Sequence, residues 1–494
     1  MRFRSSLVSA LACAFTLFSA PALAAFGVST SGSTLTVDSG SNLVFTINTS
    51  NGDIRSMKYK GKELQDQSKF SHLVSGLGKA TVSSKVSGDV IIVTSTSTNI
   101  GGDLTQYFIV KKGVDTIYMA TRAASEPDVG ELRFIFRLNK ANLPNGYAFI
   151  DDRVHGVTGS GVGAWIVISE TGYEKSSGGA FFRDIDQQGS SQQELYFPYR
   201  IGLFGPYALV VNDGSTPSSD LDFSFFDNLG LRSYYSKSAR GYVSGKVSDV
   251  AAGFADYVTV GWKSVHQQYW ARASSSGSFT SPPMIPGTYT QTLYKMELEV
   301  ATKSSVVVTA GKTTTADIAS GEADRNALWT IGSVDGTPRG FLNADKIETM
   351  HPSDSRMSAW GPVVFRVGSS SEGSWPMAQF MNVNQGNQVV FSLTAEQAAR
   401  GGTFEVGVTS SFAGGRPQVT VNSYTGKAPA APTKINSRGI TRGTWRGYNI
   451  AYATTIPASA LVAGENTATI QVISGSSGDA FLSPNIVFDY IRFY

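Results

Sequence analysis

Two arginines four residues apart are the side chains whose type and spacing best fit ligand chemistry. They are Arg133 and Arg137 in the stretch Glu131-Leu132-Arg133-Phe134-Ile135-Phe136-Arg137. Its alternation of charged and apolar residues predicts a strand, with Glu131, Arg133, Ile135 and Arg137 on one face. Two guanidinium groups so placed can grip a chain of acidic sugars by bidentate contacts. The same pattern fits a solvated face on which Glu131 pairs with Arg133, and such pairs are common and weak. Aromatic clusters carry a similar double reading. Phe181-Phe182-Arg183-Asp184 and Tyr196-Phe197-Pro198-Tyr199-Arg200 can line a groove where rings stack on sugars, or fill a core with the charges at its rim. Trp329, Trp360, Trp375 and Trp445 divide in the same way between packing and sugar platforms.

The histidines are His72, His155, His266 and His351, and none pairs with another at metal-ligand spacing. HExxH, CxxC, a GxSxG elbow, a phosphate-binding loop and a dinucleotide fingerprint are all missing. No metal and no cofactor is therefore expected. His155 follows Asp151-Asp152-Arg153, where two carboxylates would favour its charged form, so it is a candidate proton carrier.

The elements that position these groups read as strands. Asp89-Val90-Ile91-Ile92-Val93-Thr94, Tyr257-Val258-Thr259-Val260 and Val306-Val307-Val308-Thr309 are β-branched or aromatic, with Gly, Asn, Asp and Ser between such runs. One short helix is expected, with Thr394 and Gln397 as a capping box and Gly401-Gly402 ending it. The predicted fold class is all-β. Residues 1–24 read as an export signal, with Arg2 and Arg4 before an apolar run and Ala22-Leu23-Ala24 as a small-residue cleavage site. A large β-sandwich is expected over 25–237, a small seven-strand-type sandwich over 238–320 and a jelly roll over 325–494.

Cys13, the single cysteine, lies in the signal, so the expected mature chain has no disulfide and depends on core burial. Net charge is +3, and +1 without Arg2 and Arg4, which argues against a nucleic-acid partner. No stretch after the signal is apolar enough to predict a membrane span. A secreted, extracellular protein is expected, with Asn48-Thr49-Ser50 as its one glycosylation sequon.

Longer strings carry a resemblance. Ser71-His72-Leu73-Val74-Ser75-Gly76-Leu77-Gly78, Gly130-Glu131-Leu132-Arg133-Phe134 and Ser177-Gly178-Gly179-Ala180-Phe181-Phe182-Arg183-Asp184 occur in that order. Met350-His351-Pro352-Ser353-Asp354-Ser355-Arg356-Met357, Trp360-Gly361-Pro362 and Phe412-Ala413-Gly414-Gly415-Arg416-Pro417-Gln418 follow. Together they resemble the rhamnogalacturonan lyases of polysaccharide lyase family 4 over nearly the whole chain. The resemblance implies a β-sandwich catalytic domain, a fibronectin-III-like domain and a carbohydrate-binding jelly roll. It also implies β-elimination at the rhamnose–galacturonate bond of a pectic polysaccharide, rhamnogalacturonan I. Arg133 and Arg137 match substrate-binding arginines of the family, and Tyr196, which matches a family tyrosine, and Tyr199 are expected to bind substrate with them.

Two departures stand out. The family's catalytic lysine belongs to a segment that this chain crosses with Asn145-Gly146-Tyr147-Ala148-Phe149-Ile150. Its catalytic histidine belongs to another, which here is the direct run Phe197-Pro198-Tyr199-Arg200. Substitutes within the chain would be Lys140 or Lys175 as base and His155 or Tyr199 as acid or base. The alternatives are a non-catalytic pectin-binding protein, or a translation from which the two segments are missing. For the chain as it stands, slow or absent formation of unsaturated product is the expectation.

Overall fold

The structure is a computed structural model. It describes residues 25–494 apart from 129–131, 133, 152, 173, 175–200, 324, 348–349, 433–439 and 441–448, with only the backbone of 147–151. Residues 1–24, expected to be an export signal, and Arg133, Lys175, Tyr196, Tyr199 and Trp445 therefore lie outside the described residues. The described chain is all-β, as expected from the strand patterns, with one short α-helix, Ala395–Arg400. Thr394 and Gln397 close both halves of the predicted capping box. Gly401 ends the helix at φ +70°, where a Cβ would meet the Ile456 carbonyl oxygen at 2.7 Å.

In the first part, a five-stranded meander runs Gly27–Ser31, Thr34–Asp38, Leu43–Asn48, Ile54–Tyr59 and Lys62–Glu63. It packs on an eight-stranded antiparallel sheet running from Asn145–Asp151 at one edge to Thr81–Ser87 at the other. Leu35, Val37, Phe45, Ile47 and Met57 of the first sheet meet Ile91, Val93, Phe108, Val110 and Met119 of the second. Inner strands of the larger sheet are covered twice. Leu104–Lys111 is buried at all but its last position because its other face lies under Phe226 and Leu231. Two-sided burial explains why Tyr107-Phe108-Ile109-Val110 reads as a continuous apolar run instead of an alternation.

The second part is a sandwich of two sheets. Thr313–Thr315 and Ile318–Ala319 both pair in parallel with Tyr242–Ser248 at one register offset, so they form one interrupted strand. With that strand counted once the sandwich has seven strands. The third part packs two five-stranded sheets around Trp375, Phe380, Phe391, Phe404, Phe488 and Phe493. No described helix is long and apolar enough to cross a membrane.

Candidate functional site

The arginine stretch forms less strand than its alternation predicts. Only Phe134–Ile135 pairs, against His72–Leu73, with one further bridge between Gln65 and Leu138. The Arg137 carbonyl accepts the Asp66 N–H at 2.8 Å, and side chains add to the pairing on either side. Ser71 Oγ accepts the Arg137 N–H at 2.8 Å, and Gln65 Nε2 donates to the Arg137 carbonyl at 2.8 Å. Ser71 and Gln65 are themselves buried and hydrogen-bonded to each other at 2.7 Å. Backbone polar groups must be paired when buried, and here side chains do part of it.

The predicted alternation of faces nevertheless holds over this short piece. Phe134, Phe136 and Leu138 pack on the core, with the Phe134 and Phe136 rings 4.8 Å apart. Ile135 and Arg137 therefore point away from it.

A third segment completes the surface. Ile54 and Ser71 exchange backbone hydrogen bonds as an antiparallel bridge, which sets Asp53 beside His72 and Arg55 beside Phe70. The Arg55 guanidinium lies 5.3 Å from the centre of the Phe70 ring. On the inward side Ile54 and Leu73 are buried. On the outward side Asp53, Phe70, His72, Ile135 and Arg137 are half-buried and Arg55 is exposed. Burial pushes the Asp53 carboxyl up, against the pull of His72, a hydrogen bond from Asn51, and Arg55. Two rows thus lie side by side: Asp53, His72 and Ile135, then Arg55, Phe70 and Arg137.

Arg137 has unused capacity on this face. Its Nε is buried and has no acceptor among the described residues. A buried donor left open is uncommon and calls for an explanation. A carboxylate brought in by a ligand would supply one. Sequence reasoning singled out Arg137 but not His72, Asp53, Arg55 or Phe70 as its neighbours. The string beginning Ser71-His72 was the available signal.

Other candidates are placed elsewhere. His155 sits in strand Val154–Gly159, 3 % exposed, opposite Ile166 and on the side of the sheet that carries Val157 and Ile166 toward the core. That enclosure corrects the expectation of a proton carrier open to substrate, and the Asp151 and Asp152 side chains meant to tune it lie outside the described residues. Lys140 is exposed in the turn after Leu138.

Asn48 is 5 % exposed and its Oδ1 accepts the Ser50 N–H at 3.0 Å. An amide so enclosed is a poor carrier for a glycan, so the sequon reading loses its support in the folded domain. Trp375 is fully buried, Trp360 donates to the Pro352 carbonyl at 2.8 Å from inside the core, and Trp329 stacks on Phe493. These three are packing residues. Among the described residues no group of three or more His, Cys, Asp or Glu side chains is placed to hold a metal ion.

Comparisons with known proteins bear on the same chain. Residues 327–493 match polysaccharide lyase family 4, domain III, and residues 239–316 match polysaccharide lyase family 4, domain II. The N-terminal model of rhamnogalacturonan lyase B matches in two pieces, 26–149 and 145–233. The two pieces overlap at 145–149. Rhamnogalacturonate lyase A of Emericella nidulans is 45% identical, over 97% of this chain and 98% of that one. Rhamnogalacturonate lyase A of Aspergillus aculeatus is 44% identical, over 99% of this chain and 100% of that one. The second alignment runs over 537 residues, 43 more than the 494 here, so gaps open in this chain. With all three parts matched in order and relatives aligned along nearly the whole length, the chain belongs to polysaccharide lyase family 4.

Proposed function

We propose that this protein is a secreted rhamnogalacturonan lyase that cleaves the rhamnose–galacturonate bond of rhamnogalacturonan I by β-elimination. The observation that carries the reading at the site is the open, buried Nε of Arg137 on the outward face. β-Elimination removes the proton on carbon 5 beside the uronate carboxylate and expels the oxygen on carbon 4. The proton becomes acidic only when a cation neutralises that carboxylate and the enediolate-like charge that develops on it. Arg137 supplies such a cation, Arg133 four residues earlier is its expected partner, and Tyr196 and Tyr199 are the further substrate-binding candidates. Similarity along nearly the full length to relatives named rhamnogalacturonate lyase favours an enzyme over a binding-only protein.

In this reading the first part is the catalytic domain and residues 325–494 hold the polymer. The mature protein begins at Ala25. The test is ultraviolet absorbance, because elimination leaves a double bond conjugated to the carboxylate and hydrolysis does not. Arg137→Ala should lower kcat/KM on rhamnogalacturonan I by about 10²-fold, the usual cost of one donor to developing charge. Equal turnover in a correctly folded variant would remove Arg137 from the site.

A further inference from the structure

Elimination needs a base, and the family's lysine has no counterpart in this chain. Among the described histidines, His155 is enclosed on the core side, His266 belongs to the second part and His351 to a loop of the third. His72 differs. It pairs with Ile135, two residues before Arg137, and points to the same outward face. Its ring is half-buried, so it is neither sealed in the core nor lost in bulk water. On its other flank the Ile54–Ser71 bridge sets Asp53 beside it on the same face. Among the described residues the charged groups on that face are then Asp53, Arg55 and Arg137. An imidazole beside a carboxylate and one strand step from a carboxylate-binding arginine has the composition of a proton-transfer site.

We propose that His72 is the base that removes the carbon-5 proton in this protein. The proposal rests on the lyase reading above. A neutral ring nitrogen takes the proton, and the C–H electron pair becomes the carbon 4–carbon 5 π bond. The carbon 4–oxygen bond breaks with its pair on oxygen, and the departing oxygen takes a proton from water. The imidazolium then returns its proton to the hydroxide so formed. Arg137 holds the carboxylate while charge passes through it, and Arg55 with the Phe70 ring gives the neighbouring sugar a cation and an apolar face.

The experiment measures absorbance growth and polymer binding side by side on the mature chain. His72→Gln should lower kcat by about 10²–10⁴-fold, the range for loss of a general base, with affinity for rhamnogalacturonan I within about threefold of the parent. If the parent is active and His72→Gln is equally fast, the assignment fails while the lyase reading stands. If the parent binds polymer but makes no unsaturated product, both fail together. If a folded His72→Gln variant loses binding in step with rate, His72 is a binding group and the proton role is overturned.

Discussion

The chain crosses from one part to the next twice, and the two crossings are built on opposite electrostatic principles. At the first, Arg240 grips Glu174 with two hydrogen bonds of 2.7 and 3.3 Å, both side chains being at most 4 % exposed. Tyr269 donates to the same carboxylate at 2.7 Å, and the remaining guanidinium donors reach the Tyr235 and Pro283 carbonyls. At the second crossing, Glu297 donates its N–H to the Asp335 carbonyl at 2.9 Å, and Asn449 donates to the Glu297 carbonyl at 2.9 Å. Beneath this neutral contact lie two buried carboxyls, Asp335 and Asp489. Asp489 accepts from Gly336 N–H at 2.8 Å and from Asp335 N–H at 3.2 Å. Burial first, and the nearby Asp335 second, push its pKa up to about 8. One junction thus holds a satisfied ion pair and the other a pair of like groups that resists ionising. A mutation should break the first, and pH should loosen the second.

The largest effect is expected from Arg240→Ala. Removing one partner of a buried pair leaves the other charge without compensation, a loss of about 3–5 kcal/mol. Urea unfolding followed by tryptophan fluorescence of the second part, where Trp262 is buried, would read it. A loss under about 1 kcal/mol would mean that the pair is solvated. Replacing both partners together, Glu174→Leu with Arg240→Met, should recover part of the loss, since apolar residues of similar size often substitute for a buried pair.

Gly336→Ala comes next. Gly336 has φ +82°, and a Cβ there would stand 2.6 Å from both Glu297 C and Leu298 N. Left-handed strain and that contact together should cost about 1–3 kcal/mol. The loss should appear as earlier proteolysis between the second and third parts. An unchanged cleavage pattern would show that the junction yields without cost.

The effect expected from Asp489→Asn appears in the pH profile and not at a single pH. Asp489 has a folded pKa of about 8 against an ordinary 3.8, so the folded state holds a proton that the unfolded chain has lost between those values. Its contribution is therefore full below about pH 4, declines as pH rises and is gone above about pH 8. Glu405 runs the other way: burial opposes its ionisation, but hydrogen bonds from Tyr490, Tyr494 and Arg492 hold its pKa below the usual range. Its contribution is present at neutral pH and lost on acidification. Melting temperatures from pH 5 to pH 8 should decline less in Asp489→Asn than in the parent. Parallel curves would exclude Asp489 as the source of the slope.

The same contrast between local and distant causes decides what could be read before the fold was seen. The capping box at Thr394 was legible because both of its bonds join residues three apart. The strand runs were legible because side-chain alternation is a property of each strand alone. The expected strand through Arg137 was half right: its faces alternate as expected, but the Ser71 and Gln65 side chains supply part of its pairing. Nothing near Arg137 in sequence announces either residue. His155 shows the reverse failure. Its neighbouring carboxylates suggested reactivity, and enclosure on the core side of the sheet removed it from reach.

By itself, then, the sequence determined the all-β class and the family, and it put forward the arginine of the candidate site. These rest on composition, on periodicity within single strands and on long matching strings. Only the tertiary structure decided which side chains share a face with Arg137, which histidine is enclosed, and which charges meet at the junctions. Those choices depend on pairings such as Arg137 with Ser71, 66 residues apart, and Arg240 with Glu174, also 66 apart. A local pattern states which way a side chain points from its own strand. It says nothing of which distant strand is brought beside it, and the chemistry of this site lies in that neighbour.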